Sequence, residues 1–355
     1  MKKLLLTALA LLQVSLMYAG VYDLKKYGSL INQAELNIIE GKYVQALSIY
    51  DSAFSYYTSS PFTQDLYNAS LCALKTKRSD KAISLCRQLA SKGVGIPFFR
   101  FNKAFLPLSK RKDWNSTMNY ARTIKDSFER VNVSLLRIID SLVAKDQRGN
   151  AEWKKAGMTS NAKLKMYATN DSIAKTLSKI FEQKGFLSED IIGAPLTKEG
   201  HLNSMLPFDV ILVHNFQSGQ WGDTLFSSIL EKALNAGQIS PSYYASIVDM
   251  GSNTGIRPYF GETRFYMQYK CKIYLDPYTK SIALTVDSNR RSIGLCSIDD
   301  LLKKVIFRSQ YPKSDFKINV HLSIIGSYAD KLSEEAMMNE RTLIYDLGNN
   351  CGNKM

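Results

Sequence analysis

His214 lies inside the apolar run Phe208 to Phe216, and it is the residue whose type and setting most suggest chemistry. Imidazole titrates near neutral pH, so His214 can serve as a general base if a carboxylate orients its other nitrogen. Asp146 and Asp249 are the candidate orienters. Arg148 and Arg290 are candidate clamps for an anionic group through their planar forks, with Gln147, Tyr266 and Gln268 as further binding residues. A polar set on otherwise apolar elements is costly unless paired, so these residues are expected to converge on one pocket. The plainer reading is a buried histidine bonded to a carboxylate, with arginine closing a helix end. It is the favoured one, because structural networks use the same residue types.

Several mechanisms are excluded by motif. The chain has no GxSxG elbow, no GxxxxGK[ST] phosphate loop and no HExxH pair. His201, His214 and His321 are too dispersed to suggest a local metal site, and Gly251 to Gly255 reads as a loop. No cofactor or metal is expected. The tyrosines are scattered through the chain, and nothing argues for nucleic acid.

The elements that must position these residues fall into two groups. Ala34-Glu35-Leu36-Asn37, Gly41-Lys42-Tyr43, Ala46-Leu47, Tyr50 and Ala53 form one frame, which recurs with Ala69-Ser70, Ser79-Asp80, Ala82, Cys86 and Leu89. A fainter third frame has Ala104, Asp113-Trp114, Tyr120 and Ala121. The steps from Ala46 to Ala82 and from Ser79 to Trp114 lie near the ~34-residue tetratricopeptide length. On these residues the chain resembles tetratricopeptide-repeat proteins over about 27–125, although the Trp-Leu-Gly start is absent. The resemblance implies a short solenoid of helical hairpins, in which Ala46, Tyr50, Ala53 and Ala82 pack between helices. Its concave face would take an extended peptide or partner helix, or simply pack on the following domain.

From Phe128 the pattern changes. A helix is expected over Ser134 to Ala144, ending at Asp146-Gln147-Arg148, and another from Asn170-Asp171 to Lys184 with Gly185 as its stop. Phe208 to Phe216 reads as a buried helix. Leu225 to Leu234 forms an amphipathic stripe closed by Gly237, and Ser240-Pro241 opens a short helix. Then the period becomes two. Phe265 to Leu275 and Ser281 to Val286 read as strands joined across Asp276 to Thr279, Ser297 to Asp300 as a helix start, and Phe316 to Ile324 as another strand. The fold class is therefore mainly α with a smaller β part. The expected division is a signal over 1–19, repeats over 20–126, a mixed domain over 127–348 and a disordered tail over 349–355.

The order Asp146-Gln147-Arg148, Gly185-Phe186, Ile192-Gly193, His214, Asp249, Tyr266 with Gln268, and Arg290-Arg291-Ser292-Ile293-Gly294-Leu295 resembles a bacterial domain of unknown function. That domain is often found in exported or repeat-bearing proteins, and the likeness covers about 130–305. Phe186 replaces the family's usual Trp, and Arg264 to Gln268 replaces its glycine-rich Gln-Tyr-Gly-Thr-Gln element. The family has no established activity, so the resemblance implies shared architecture and a candidate site.

Lys2 and Lys3, the apolar stretch Leu4 to Met17 and Met17-Tyr18-Ala19 read as a secretory signal cleaved after Ala19. The stretch is short for a membrane span, and no later one approaches ~20 apolar residues. The whole chain carries 46 basic and 32 acidic side chains, leaving about +12 once Lys2 and Lys3 are removed. In an exported protein such a surface meets anionic envelope components more readily than nucleic acid, though the basic residues are dispersed. Five cysteines form no CxxC pair. Cys72 and Cys86 are the possible disulfide, with buried free thiols as the alternative. The leading expectation is a periplasmic or secreted binding or assembly component that docks a protein partner through its repeats. The alternative is an enzyme with a His/Asp/Arg pocket.

Overall fold

The computed structural model describes residues 23–56, 61–197, 200–203, 205–218, 225–251, 259–262, 266–275, 282–320, 323–324, 338 and 341–348. The expected signal over 1–19 and tail over 349–355 lie outside the described residues, as do the turn Asp276 to Thr279 and most of the Gly251 to Gly255 loop.

The chain is mainly helical. Asp23 caps α1 (Leu24–Ile39) by accepting from the Lys26 amide at 2.9 Å. Gly41, with φ +74°, turns the chain into α2 (Tyr43–Ser55). Next come α3 (Thr63–Lys75) and α4 (Ser79–Ser91), with Lys77 at positive φ in their turn. Within each pair the helices pack together, and α2 also packs on α3. Ala46, Tyr50, Ala53 and Ala82 are fully buried, as the spacing predicts. Small residues let helices approach, and the Tyr50 ring fills the gap beside Phe54.

Cys72 and Cys86 are free thiols, which corrects the disulfide expectation. Both lie fully buried in this core as small apolar groups. Burial pushes the Cys72 thiol up to about 12, so it resists the thiolate form that disulfide exchange requires.

Beyond α5 (Ile96–Phe101) and a 3₁₀ turn (Lys103–Leu108), Phe98, Phe99, Phe105 and Trp114 form an edge-to-face cluster. It anchors the start of α6 (Lys112–Lys155), which runs for 44 residues, roughly 66 Å. The expected boundary at 126/127 falls inside this helix. Asp146 to Arg148 lie within it too, not at a helix end. The periodicity changes near Phe128 because the helix leaves one core for another, without any break in its backbone. Gly157 and Met158 at positive φ turn the chain into α7 (Ser160–Lys184), which folds back on α6. Helix α7 begins ten residues before Asn170, and Gly185 ends it as expected.

After α8 (Glu189–Ile192), α9 (Asp209–Ser218) packs against both α7 and α11 (Pro241–Gly251), with α10 (Ser227–Asn235) beside α11. Phe181, Phe186, Phe208 and Phe226 fill the shared core. The sheet is small. Strands β1 (Tyr266–Tyr269) and β2 (Lys272–Leu275) form a hairpin whose turn is Lys270-Cys271, both at positive φ. This replaces the single strand expected over Phe265 to Leu275. Of the strand expected over Ser281 to Val286, Ala283 to Val286 belong instead to helix α12 (Ala283–Ser292). Helix α13 (Ile298–Gln310) starts where the capping sequence predicts, with Ser297 Oγ accepting from the Asp300 amide at 3.2 Å. Strands β3 (Ser323–Ile324) and β4 (Thr342–Asp346) complete the order β3-β1-β2-β4, in which only β1 and β3 run parallel. Among the described residues no helix is long and apolar enough to cross a membrane.

Among the described residues, the strand expected over Phe316 to Ile324 pairs with the sheet only at Ser323 and Ile324. Residues 316–320 lie instead on the first three helices. Asn68 Nδ2 donates to the Lys317 carbonyl at 2.8 Å, and Asn68 Oδ1 accepts from the Lys317 amide at 2.9 Å. Gln64 donates to the same carbonyl at 2.9 Å, and Glu35 accepts from the Asn319 amide at 3.0 Å. Phe316 stacks on Tyr43 at 5.5 Å, and Ile318 is buried in the helical core. The alternation expected of a strand is real, but its partners are side chains on helices.

Candidate functional site

Asp146 is completely buried and reaches His214 across the contact between α6 and α9. The His214 Nδ1 lies 2.9 Å from both carboxylate oxygens. Gln147 also donates to Asp146, at 2.9 Å, and Asn150 donates to the Asp146 carbonyl at 3.0 Å. A carboxylate accepts, so the Nδ1–H of His214 donates to Asp146, and Nε2 is the ring nitrogen not used in that bond. With 20% of its side chain exposed, the ring is accessible to solvent. The Asp–His pairing expected from sequence is therefore present.

The rest of the expected set does not join it. Asp249 ties down a loop, accepting from the amides of Tyr259, Phe260 and Glu262 at 2.9, 2.9 and 2.6 Å. Burial pushes its carboxyl up to about 6, against the pull of those amides. Arg290 is 1% exposed and spends its fork on Glu262, the Phe260 carbonyl and the Cys296 carbonyl, at 3.0, 2.9 and 2.6 Å. It closes the end of α12 and cannot clamp a ligand. Arg148 is exposed. Tyr266 donates to the Ile298 carbonyl at 3.1 Å. Side chains on one continuous helix point in different directions, which is why neighbours such as Asp146 and Arg148 separate. Among the described residues no group of three or more His, Cys, Asp or Glu is placed to hold a metal.

The principal cavity lies elsewhere, where the first four helices meet the rest of the chain. It encloses about 490 Å³, within the range of small-ligand sites. Its walls come from the start of α3, the segment around α8 and α9, helix α11, the end of α13 and residues 317–320. Of the expected site residues only Gln268 lines it, accepting from Ser309 Oγ at 2.9 Å. Neither His214 nor Arg290 does.

Each of its carboxylates has at least one partner, although Asp65 Oδ1 is buried without one among the described residues. Asp65 accepts from the Tyr27 hydroxyl at 2.6 Å, and burial pushes it up to about 8. Asp209 accepts from Tyr243 and from the Leu206 amide at 2.9 Å, and burial pushes it up to about 7. Glu189 is paired with the buried Lys92 at 3.1 Å and accepts from the Thr63 amide at 2.9 Å. Motif reading did not single out these cavity groups. Asp65 lies in the first turn of α3 and Asp209 in the first turn of α9, where each would pass for an ordinary helix start. No family model, no curated protein and no solved structure matches the chain.

Proposed function

We propose that this chain is an exported binding or assembly component, periplasmic or secreted, whose first helices form a short tetratricopeptide-like solenoid that receives an extended protein segment. The observation that carries this reading is the grip on residues 316–320. Asn68, Gln64 and Glu35 all bond backbone groups of that segment. Main-chain bonds of this kind hold an extended chain of almost any sequence, while alternate side chains select it. Here Phe316 and Ile318 are the selected pair. The solenoid's own chain occupies the surface, and a partner segment of the same pattern takes its place. Export is supported by the charged and apolar start of the chain and by Cys271, which is disulfide-bonded, a bond favoured in oxidising compartments.

The test is a labelled peptide with the sequence of residues 312–320. The tethered segment competes at an effective concentration of order mM, so the unaltered protein should bind the peptide weakly. Phe316→Ala weakens the competitor and should strengthen binding by about tenfold, while adding Asn68→Ala should remove the gain. Equal binding by all three proteins would refute the reading.

The Asp146–His214 pair supports a second reading, an enzyme with His214 as base and Asp146 as its positioning residue. The prediction is that His214→Gln keeps the fold and abolishes function in cells. Retained function would count against it.

A further inference from the structure

Two cations line the junction cavity without a partner. Arg308 sits in the last turn of α13 and Lys317 in the segment held on the first helices. Among the described residues neither side chain makes a hydrogen bond or ion pair. They are close enough to oppose each other. Partial burial and then the charge of Arg308 hold the Lys317 ammonium below its usual range, with exposed Asp315 only partly offsetting them. The acidic groups around the cavity do not answer these charges. Glu189 is engaged by Lys92, while Asp65 and Asp209 are bonded to tyrosine hydroxyls at other points of the wall. A protein rarely brings two unpaired cations together in a recess unless an anion fills it.

The lining also includes apolar side chains. Phe62, Leu206, Ile239 and Ile247 are each less than 9% exposed and face the same space. We propose that the junction cavity binds an amphiphilic organic anion, with its carboxylate or phosphate head on Arg308 and Lys317 and its apolar body against Phe62, Leu206, Ile239 and Ile247. The fork of Arg308 suits the paired oxygens of either head, and Lys317 adds a point charge. The site stands on the cavity and its charges, with Lys317 in place while residues 316–320 are seated on the first helices.

The test is calorimetric titration of the mature chain with octanoate, octyl phosphate, octanol and octyltrimethylammonium. One or both acids should bind at least about tenfold more tightly than octanol, more weakly as salt rises, and the cation should not bind. The stronger acid identifies the headgroup. In the Arg308→Gln, Lys317→Gln double variant the acids should fall to the affinity of octanol. Lys317→Gln leaves the backbone bonds to Asn68 in place, so the segment stays seated. Equal binding of octanoate and octanol by the unaltered protein, no binding of either acid at millimolar concentration, or undiminished acid binding by the folded double variant would each overturn the proposal.

Discussion

At the scale of single residues, burial decides what each titratable group does. Asp65 and Asp209 are raised to about 8 and about 7 because burial disfavours their charged forms more than the tyrosine hydroxyls favour them. In the unfolded chain both would ionise near 4. Between those limits the folded protein binds more protons than the unfolded one, so these groups contribute stability that is lost as pH rises. Each can cost up to ~1.4 kcal/mol per pH unit across its window. Asp65→Asn keeps an acceptor for Tyr27 and removes the ionisation. The variant should match the parent near pH 4 and be the more stable one at pH 8, as read from denaturant midpoints. An unchanged pH slope would show that Asp65 ionises normally. At His214 the expectation has the other sign, because His214→Ala leaves Asp146 buried without its principal donor. A loss of ~1–3 kcal/mol is predicted, with Asp146→Asn less costly because the amide still bonds Gln147.

At the scale of elements, local chemistry was readable wherever a cap or stop acts within a few residues. Gly185, Gly237, Ser240-Pro241 and Ser297 each end or start a helix where their types predict. Elements decided by distant contacts were not. The Lys270-Cys271 turn has no Gly or Asn to announce its positive φ, and the disulfide at Cys271 is a non-local restraint. The alternation that suggests a strand over Ser281 to Val286 runs into helix α12, where Val286 and Arg290 on one face meet the sheet-side core and the Glu262 loop. The approach of α1 to the α12–α13 turn is equally non-local. A Cβ on Gly28 would lie 2.1 Å from the Gly294 carbonyl oxygen, and Gly294 itself has φ +80°. Gly28→Ala forces two backbones apart and should cost ~1–3 kcal/mol. A denaturation midpoint equal to the parent's would show that this contact is not close.

At the scale of the whole molecule, the first helices and the later chain are built into one another. Glu35 on α1 pairs with Lys304 on α13 at 2.7 Å, Lys92 just after α4 pairs with Asp190 at 2.6 Å, and residues 316–320 return across the first three helices. His214 was legible because it stands out in an apolar run, with Asp146 and Asp249 as its candidate partners. The junction cavity was not, because its walls come from segments separated by most of the chain and carry no local motif. This closure predicts a single cooperative unfolding transition, with coincident near- and far-ultraviolet circular dichroism. Two separated transitions would mean that the first helices fold alone.

The seating of residues 316–320 on the first helices is the point on which the solenoid reading and one wall of the cavity both depend. Hydrogen–deuterium exchange at the Lys317 and Asn319 amides measures it directly. Strong protection of both is predicted in the unaltered protein, with selective loss at Lys317 in Asn68→Ala and at Asn319 in Glu35→Ala while the helical core stays protected. Rapid exchange of both amides in the folded, unaltered protein would contradict the account.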